Sequence, residues 1–157
     1  MELELRALMP DDAGAARALV SEQFAGTRYR VRALELLESA LRFDDPEHMA
    51  LLAFANGGER LVGLALFGTV TGAHAVVKVH GVVARELETA VALLDAVRQA
   101  SERSGERMIV SELPDDAPFA VASKALAASG FAEEGRVPDF VRDGVALRLF
   151  VRPLLTA

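Results

Sequence analysis

The feature that most constrains this chain is an apolar stretch that cannot be a helix. Met49 to Ala55 and Leu61 to Val70 flank Asn56-Gly57-Gly58, residues suited to the positive φ angles of a tight hairpin turn. From Leu61 to Val77 there is no Asp, Glu, Lys or Arg, a composition that would suit a membrane span. Gly63, Gly68 and Gly72, with Thr69 and Thr71, interrupt it where a spanning helix would continue, so the segment reads as a buried hairpin. Thr71-Gly72-Ala73 supplies a second turn, and His74 to Ala84 follows as the third strand of an antiparallel meander.

Helical spacing brackets this meander. Leu3 and Leu5 alternate with Glu4 and Arg6 in a short first strand that ends at Pro10. Asp11 or Asp12 can cap a helix with Ala16, Leu19, Val20 and Phe24 on one face, closing at Ala25-Gly26-Thr27. A second helix turns Leu34, Leu37 and Leu41 inward and Arg32, Glu35 and Glu38 outward, stopping before Asp44-Asp45-Pro46. Beyond the meander, Leu87, Ala90, Val91, Leu94 and Val97 mark a third helix that stops at Gly105. Met108 to Ser111 is a short buried strand, Phe119 to Ala128 a fourth helix capped by Gly130, and Phe131 to Val137 and Val145 to Val151 close the chain as paired strands. The predicted order is β-α-α-β-β-β-α-β-α-β-β over a single domain, residues 1–157.

Composition narrows the function classes. A chain of 157 residues that is 52% hydrophobic closes one core around a sheet. Cysteine is absent, which removes disulfides, thiolate metal sites and a cysteine nucleophile together and fits a cytoplasmic protein. The N-terminal Met1-Glu2-Leu3-Glu4-Leu5-Arg6 lacks the pattern of a secretory signal, so export is not expected. A net charge of -6 without a Lys/Arg cluster disfavours nucleic acid, whose binding is driven by counterion release. No membrane association is expected. The three histidines lack close metal-ligand spacing, so no metal site is predicted, and neither G-x-S-x-G nor a Walker sequence occurs.

The order of elements resembles the GNAT family of acetyl-CoA-dependent N-acyltransferases across nearly the whole chain. Leu5-Arg6-Ala7 followed by Asp11-Asp12-Ala13 is similar to that family's first strand and helix start. Ala127-Ala128-Ser129-Gly130-Phe131, Gly135-Arg136-Val137-Pro138-Asp139-Phe140 and Asp143-Gly144 resemble its last helix and closing hairpin. The resemblance implies an α+β three-layer fold, a strongly twisted mixed sheet of about seven strands flanked by about four helices. It also implies acetyl-CoA or another acyl-CoA as co-substrate, and a small-molecule or peptide amine as acceptor. Homodimers are common for exposed edges in folds of this type.

The family presents backbone N-H groups to the CoA pyrophosphate through a Q/R-x-x-G-x-G/A loop, in which a Cβ would block close approach. The matching stretch here is Gly81-Val82-Val83-Ala84-Arg85-Glu86-Leu87-Glu88-Thr89-Ala90. With Arg85 in the basic position, Ala90 fits the last and Glu88 replaces the central glycine. With Gly81 to Ala84 as strand end, the loop is several residues shorter. The implied cofactor-binding residues are Gly81, Val82, Val83, Ala84, Arg85 and Ala90. Glu86 and Glu88 suit a first helical turn and oppose a pyrophosphate.

Acyl transfer to an amine needs a donor to the thioester carbonyl, a base, and often an acid for the thiolate. By the resemblance, the donor is a main-chain N-H around Gly81 to Val83. The family's acid tyrosine falls at Leu126, so that acid is missing, although a thiolate leaves tolerably without one. His80 and Glu112 lie near the ends of the two strands that splay apart around the pantetheine arm, and are the candidate bases; His74, His48 and Lys78 are secondary. Arg28, Tyr29 and Arg30 would border the acceptor, and their charges suit an acceptor with an anionic group. The competing expectation is a GNAT-like ligand-binding or dimerisation module without transferase activity.

Overall fold

In a computed structural model, which describes residues 2–154, the meander forms the middle of a sheet. The elements are β1 (Glu4–Ala7), α1 (Ala13–Gln23), α2 (Arg30–Ala40), β2 (Met49–Ala55), β3 (Arg60–Thr69), β4 (Val76–Ala84), α3 (Leu87–Arg103), β5 (Met108–Pro114), α4 (Ala120–Ala128), β6 (Ala132–Arg142) and β7 (Val145–Pro153). Short 3-10 turns at Pro10–Asp12 and Ala117–Phe119 lead into α1 and α4. The order is the expected one. The seven strands lie as β1-β2-β3-β4-β5-β7-β6, and only β4 and β5 run parallel, because the crossover helix α3 connects them.

Strands β2 to β4 are apolar on both sides because both faces of the sheet are covered. On one face α3 and α4 pack Leu93, Leu94, Val97 and Leu126 against Ala53, Ala65, Val79 and Ile109. On the other, α1 and α2 pack Val20, Phe24 and Leu37 against Leu52, Phe54 and Leu64. Each fully buried Leu contributes roughly 1.5–3 kcal/mol. The hairpin turn takes the expected form, with φ of 55° at Asn56, 69° at Gly57 and 90° at Gly58.

Several boundaries differ from the sequence reading, each for a local reason. The third meander strand begins at Val76 rather than His74. Ala75 is left-handed (φ 54°), and Arg107 binds this bend, its side chain donating to the His74 carbonyl and its amide to that of Ala75. Strand β6 continues past Val137 to Arg142, with a break in pairing around Asp139; Pro138 is tolerated there because β6 is an edge strand. Asp12 does not cap α1 with its side chain. It accepts two bonds from the Arg6 guanidinium and one from the Met9 amide, and Arg6 holds its carboxyl below the usual range. Leu87 is exposed, and the inward face of α3 starts at Thr89 and Ala90. Among the described residues no helix is long and apolar enough to cross a membrane.

Candidate active site

The site begins with a failure of strand pairing. Strands β4 and β5 are joined at Val76–Met108, Val77–Ile109 and Lys78–Val110, and the ladder then stops although both strands continue. β5 stays paired with β7 along its whole length, from Met108–Pro153 to Pro114–Leu147. At the apex of the resulting crevice the buried Ser111 hydroxyl donates to the Val79 carbonyl at 2.9 Å, taking the place of the next backbone rung. Beyond it, main-chain groups of β4 that face away from β3 have no β5 partner.

A β-bulge sits at the same point. Leu66 pairs with Gly81 and Phe67 with Val79, so His80 is an extra residue without a partner on β3. Bulges re-aim side chains, and this one reverses the alternation of β4. Val77 and Val79 belong to the α3/α4 core, whereas after the bulge it is Ala84 that joins that core and Val83 that packs toward α1 and α2. The inserted His80 is half-buried and bonded through Nε2 to the Glu47 carbonyl at 2.8 Å. Burial pushes its imidazole below the ordinary value, and His48, Lys78 and Arg32 add to the effect; the bond to Glu47 opposes it.

Around this point lies a cavity of about 180 Å³ lined by residues of α2, β3, β4, β5 and the turn before α4, with Phe24 just after α1. It brings together six residues expected from the sequence: Tyr29, His80, Gly81, Val82, Val83 and Glu112. Glu112 is half exposed on β5, with Lys78 Nζ 3.7 Å from its carboxylate. The other expected residues lie elsewhere. Ala84 is buried in the α3/α4 core, and Arg85 is exposed with a guanidinium nitrogen 3.6 Å from Glu22. Ala90 is fully buried and its amide donates to the Glu86 carbonyl, an ordinary helical bond. Arg28 and Arg30 are exposed outside the cavity lining, and Arg30 Nε donates to Ser21 Oγ.

The connection between β4 and α3 has just two residues, Arg85 and Glu86. Glu88 therefore lies in the first turn of α3, and no side chain caps that helix. At the position of the missing acid, Leu126 is 1% exposed in the core.

Seven further residues line the cavity that the sequence does not mark as site residues: Phe24, Arg32, Ala33, Leu36, Leu66, Pro114 and Phe119. Arg32 was expected on the outward face of α2; it is exposed there and also borders the cavity. Tyr29, Arg32, Ala33 and Leu36 all line it, an i, i+3, i+4, i+7 face that the spacing could have supplied once Tyr29 was chosen. Phe119, from the turn before α4, lies between the rings of Phe24 and Tyr29, at 5.5 and 4.7 Å between centroids. Nothing in its local sequence announces that position.

The same turn is tied across the mouth of the crevice. Asp116 accepts from Tyr29 Oη at 2.7 Å and from Arg142 Nη2 at 3.0 Å, while Gln23 Nε2 donates to the Pro118 carbonyl. These bonds link α1, the start of α2, the β5–α4 connection and the end of β6. Desolvation, then the Asp116 carboxylate, raises the Tyr29 phenol above its usual value.

Comparison with known proteins adds the fold. No family model and no curated protein matches the chain. Solved structures do. One assigned to the GNAT acetyltransferase family, from Desulfovibrio desulfuricans, superposes with a TM-score of 0.81 over 98% of this chain and 100% of its own, at 19% identity. The ribosomal-protein-S18-alanine N-acetyltransferase of Escherichia coli covers 99% of this chain and 96% of its own, with a TM-score of 0.75 and 13% identity. A Salmonella typhimurium structure assigned as an acetyltransferase, solved with its cofactor acetyl-CoA, covers 99% and 95%, with a TM-score of 0.75 and 16% identity. The chain therefore has the GNAT fold, with a seven-stranded mixed sheet and four α-helices among the described residues.

Proposed function

We propose that this chain is an acyl-CoA-dependent N-acetyltransferase that transfers the acyl group directly to an amine of a small molecule or peptide. The carrying observation is the parting of β4 and β5 after three residue pairs, at the bulge that presents His80. A cavity of about 180 Å³ there is smaller than a typical ligand pocket, and suits the thioester end of the donor and the reacting amine rather than the whole cofactor.

In this reading the free main-chain N-H groups of the Gly81 to Val83 segment polarise the thioester carbonyl, where fixed dipoles act without reorganising. The amine nitrogen attacks the carbonyl carbon, the C–S bond breaks, and the amine proton passes to His80. Nε2 of His80 donates to the Glu47 carbonyl, so Nδ1 carries the lone pair that takes this proton. The acceptor attacks as its neutral amine, and Glu112, on the facing strand of the same cavity, accepts a hydrogen bond from it and orients it. With Leu126 in the acid position, the thiolate leaves unassisted and is protonated by solvent. Arg32 at the cavity edge favours an acceptor that also bears an anionic group, while Arg28 and Arg30 lie outside the lining. The exposed edge strand β6, with Val137 and Phe140 at its surface, is the candidate seam of a homodimer.

A second reading has a specific observation behind it: a β4–α3 connection of two residues, Arg85 and Glu86, followed by Glu88 in the first turn of α3, leaves little main chain to cradle a pyrophosphate. On that reading the chain is a ligand-binding or dimerisation module without transferase activity. Calorimetric titration with acetyl-CoA separates the two. The transferase requires saturable binding in the micromolar to low-millimolar range, and a flat titration sinks it.

A further inference from the structure

The segment Asp45 to His48, between α2 and β2, lies over the bulge in a way that acyl transfer alone does not require. The chain crosses β3 directly above Gly68. A Cβ built there would stand 2.0 Å from the Glu47 carbonyl oxygen and 2.6 Å from its Cα, so only glycine admits the crossing. That approach lets the Glu47 carbonyl reach His80 Nε2. The next residue, His48, lays its ring on that of His80, 5.2 Å between centroids and 16° between planes. Asp45 holds His48 in turn, its carboxylate 2.8 Å from Nδ1, and its other oxygen accepts the Glu47 amide at 2.9 Å. One carboxylate thus fixes both the residue that bonds His80 and the ring that stacks on it.

We infer that Asp45, Glu47 and His48 form a positioning element for His80, selecting the tautomer with its proton on Nε2 and fixing the ring plane so that Nδ1 is the basic nitrogen. A carbonyl oxygen only accepts, so the bond from His80 to Glu47 exists with Nε2 protonated and is lost in the other neutral tautomer. The stacked ring restricts rotation about the remaining side-chain torsion. Its use as a base rests on the transferase reading; the hold on its tautomer does not.

Burial and the positive charges around the ring favour its neutral form. The charged and titratable groups around His80 are His48 from the loop, Lys78 from β4, Arg32 from α2 and Glu112 from β5; Glu47 meets it only through its carbonyl, because its carboxylate accepts from Thr71 Oγ1. Burial comes first in disfavouring a second proton on His80, the charges of His48, Lys78 and Arg32 add to it, and the bond to the Glu47 carbonyl opposes it.

The test is nitrogen-detected NMR of the imidazoles in the intact, ligand-free protein. The expected pattern for His80 is the Nε2–H tautomer, with a midpoint below that of a free histidine. His48→Phe keeps an aromatic face and removes the charge; it should leave the tautomer intact and shift the His80 midpoint upward. Asp45→Asn should weaken the hold on Glu47 and His48 and populate the Nδ1–H tautomer. Gly68→Ala should release Glu47 altogether, with circular dichroism to establish that it folds. Wild-type His80 as the Nδ1–H form, or an Asp45→Asn spectrum and a His48→Phe midpoint both matching wild type, overturns the inference. A protein that shows the Nε2–H form but no acetyl-CoA binding loses the transferase reading and keeps this one. If turnover is present, His48→Phe should move the acid limb of the kcat profile upward while KM for the acceptor holds.

Discussion

The two ends of the expected cofactor path are built to different standards. Where β4 and β5 part, a bulge, an apex bond from Ser111 and residues from five elements converge on one cavity. Where β4 meets α3, the chain turns in two residues and presents Arg85, Glu86 and Glu88 to solvent. The first region is an investment in position: an unpaired residue in a strand and a broken ladder both cost stability and persist only within a supporting frame. The second follows ordinary helix chemistry, with carboxylates in a first turn. On the transferase reading, donor specificity should come from the thioester arm more than from the phosphates.

The sharpest way to break this contrast is His80→Gln, which keeps a side chain able to bond Glu47 but removes the base. It should lower kcat by about 10²- to 10³-fold with little change in KM, measured by thiol release. Equal loss in a Glu112→Gln variant and none in His80→Gln would move the chemistry to β5. Next in size is Leu126→Ala. This residue is core, so the substitution should cost about 3 kcal/mol in urea unfolding and leave acyl-CoA affinity unaltered. A specific loss of activity at full stability would instead give that position a role at the site.

Tyr29→Phe removes one donor from Asp116 and should cost about 1 kcal/mol of stability, because Arg142 and the Ala117 amide still satisfy the carboxylate. Glu88→Gln probes the anchoring end. Its exposed charge is screened, so acetyl-CoA binding should tighten by only about threefold in calorimetry. A gain of orders of magnitude would mean that the phosphates lie on the first turn of α3. The smallest effect is a slope. His80 is held below its ordinary value near 6.5, so the unfolded chain takes up this proton first as pH falls. Its contribution is nil above that value, and stability is lost as pH drops from about 6.5 toward the folded midpoint. His80→Gln should flatten that part of the stability curve.

Much of the frame was legible in the residues because it depends on local rules. The switch between alternating and helical spacing set the order of elements, and Asn56-Gly57-Gly58 placed the central turn. The choice of His80 and Glu112 from opposing strands put both on one cavity. The misses arise where a distant partner decides the outcome. Asp12 reads as a cap until Arg6 claims its carboxylate, and His74 reads as strand until Arg107 binds the bend beside it. Arg32 reads as a solvent-facing charge because the cleft that it borders is completed by β4 and β5.

By itself the sequence determined the alternation of apolar spacing, the turns and the inventory of titratable groups, since each depends on a few neighbouring residues. The tertiary structure decided where the parallel ladder ends, which residue of β4 is the extra one, and which backbone carbonyl meets His80. Those outcomes depend on the register between strands and on a loop crossing at Gly68 that no local window contains.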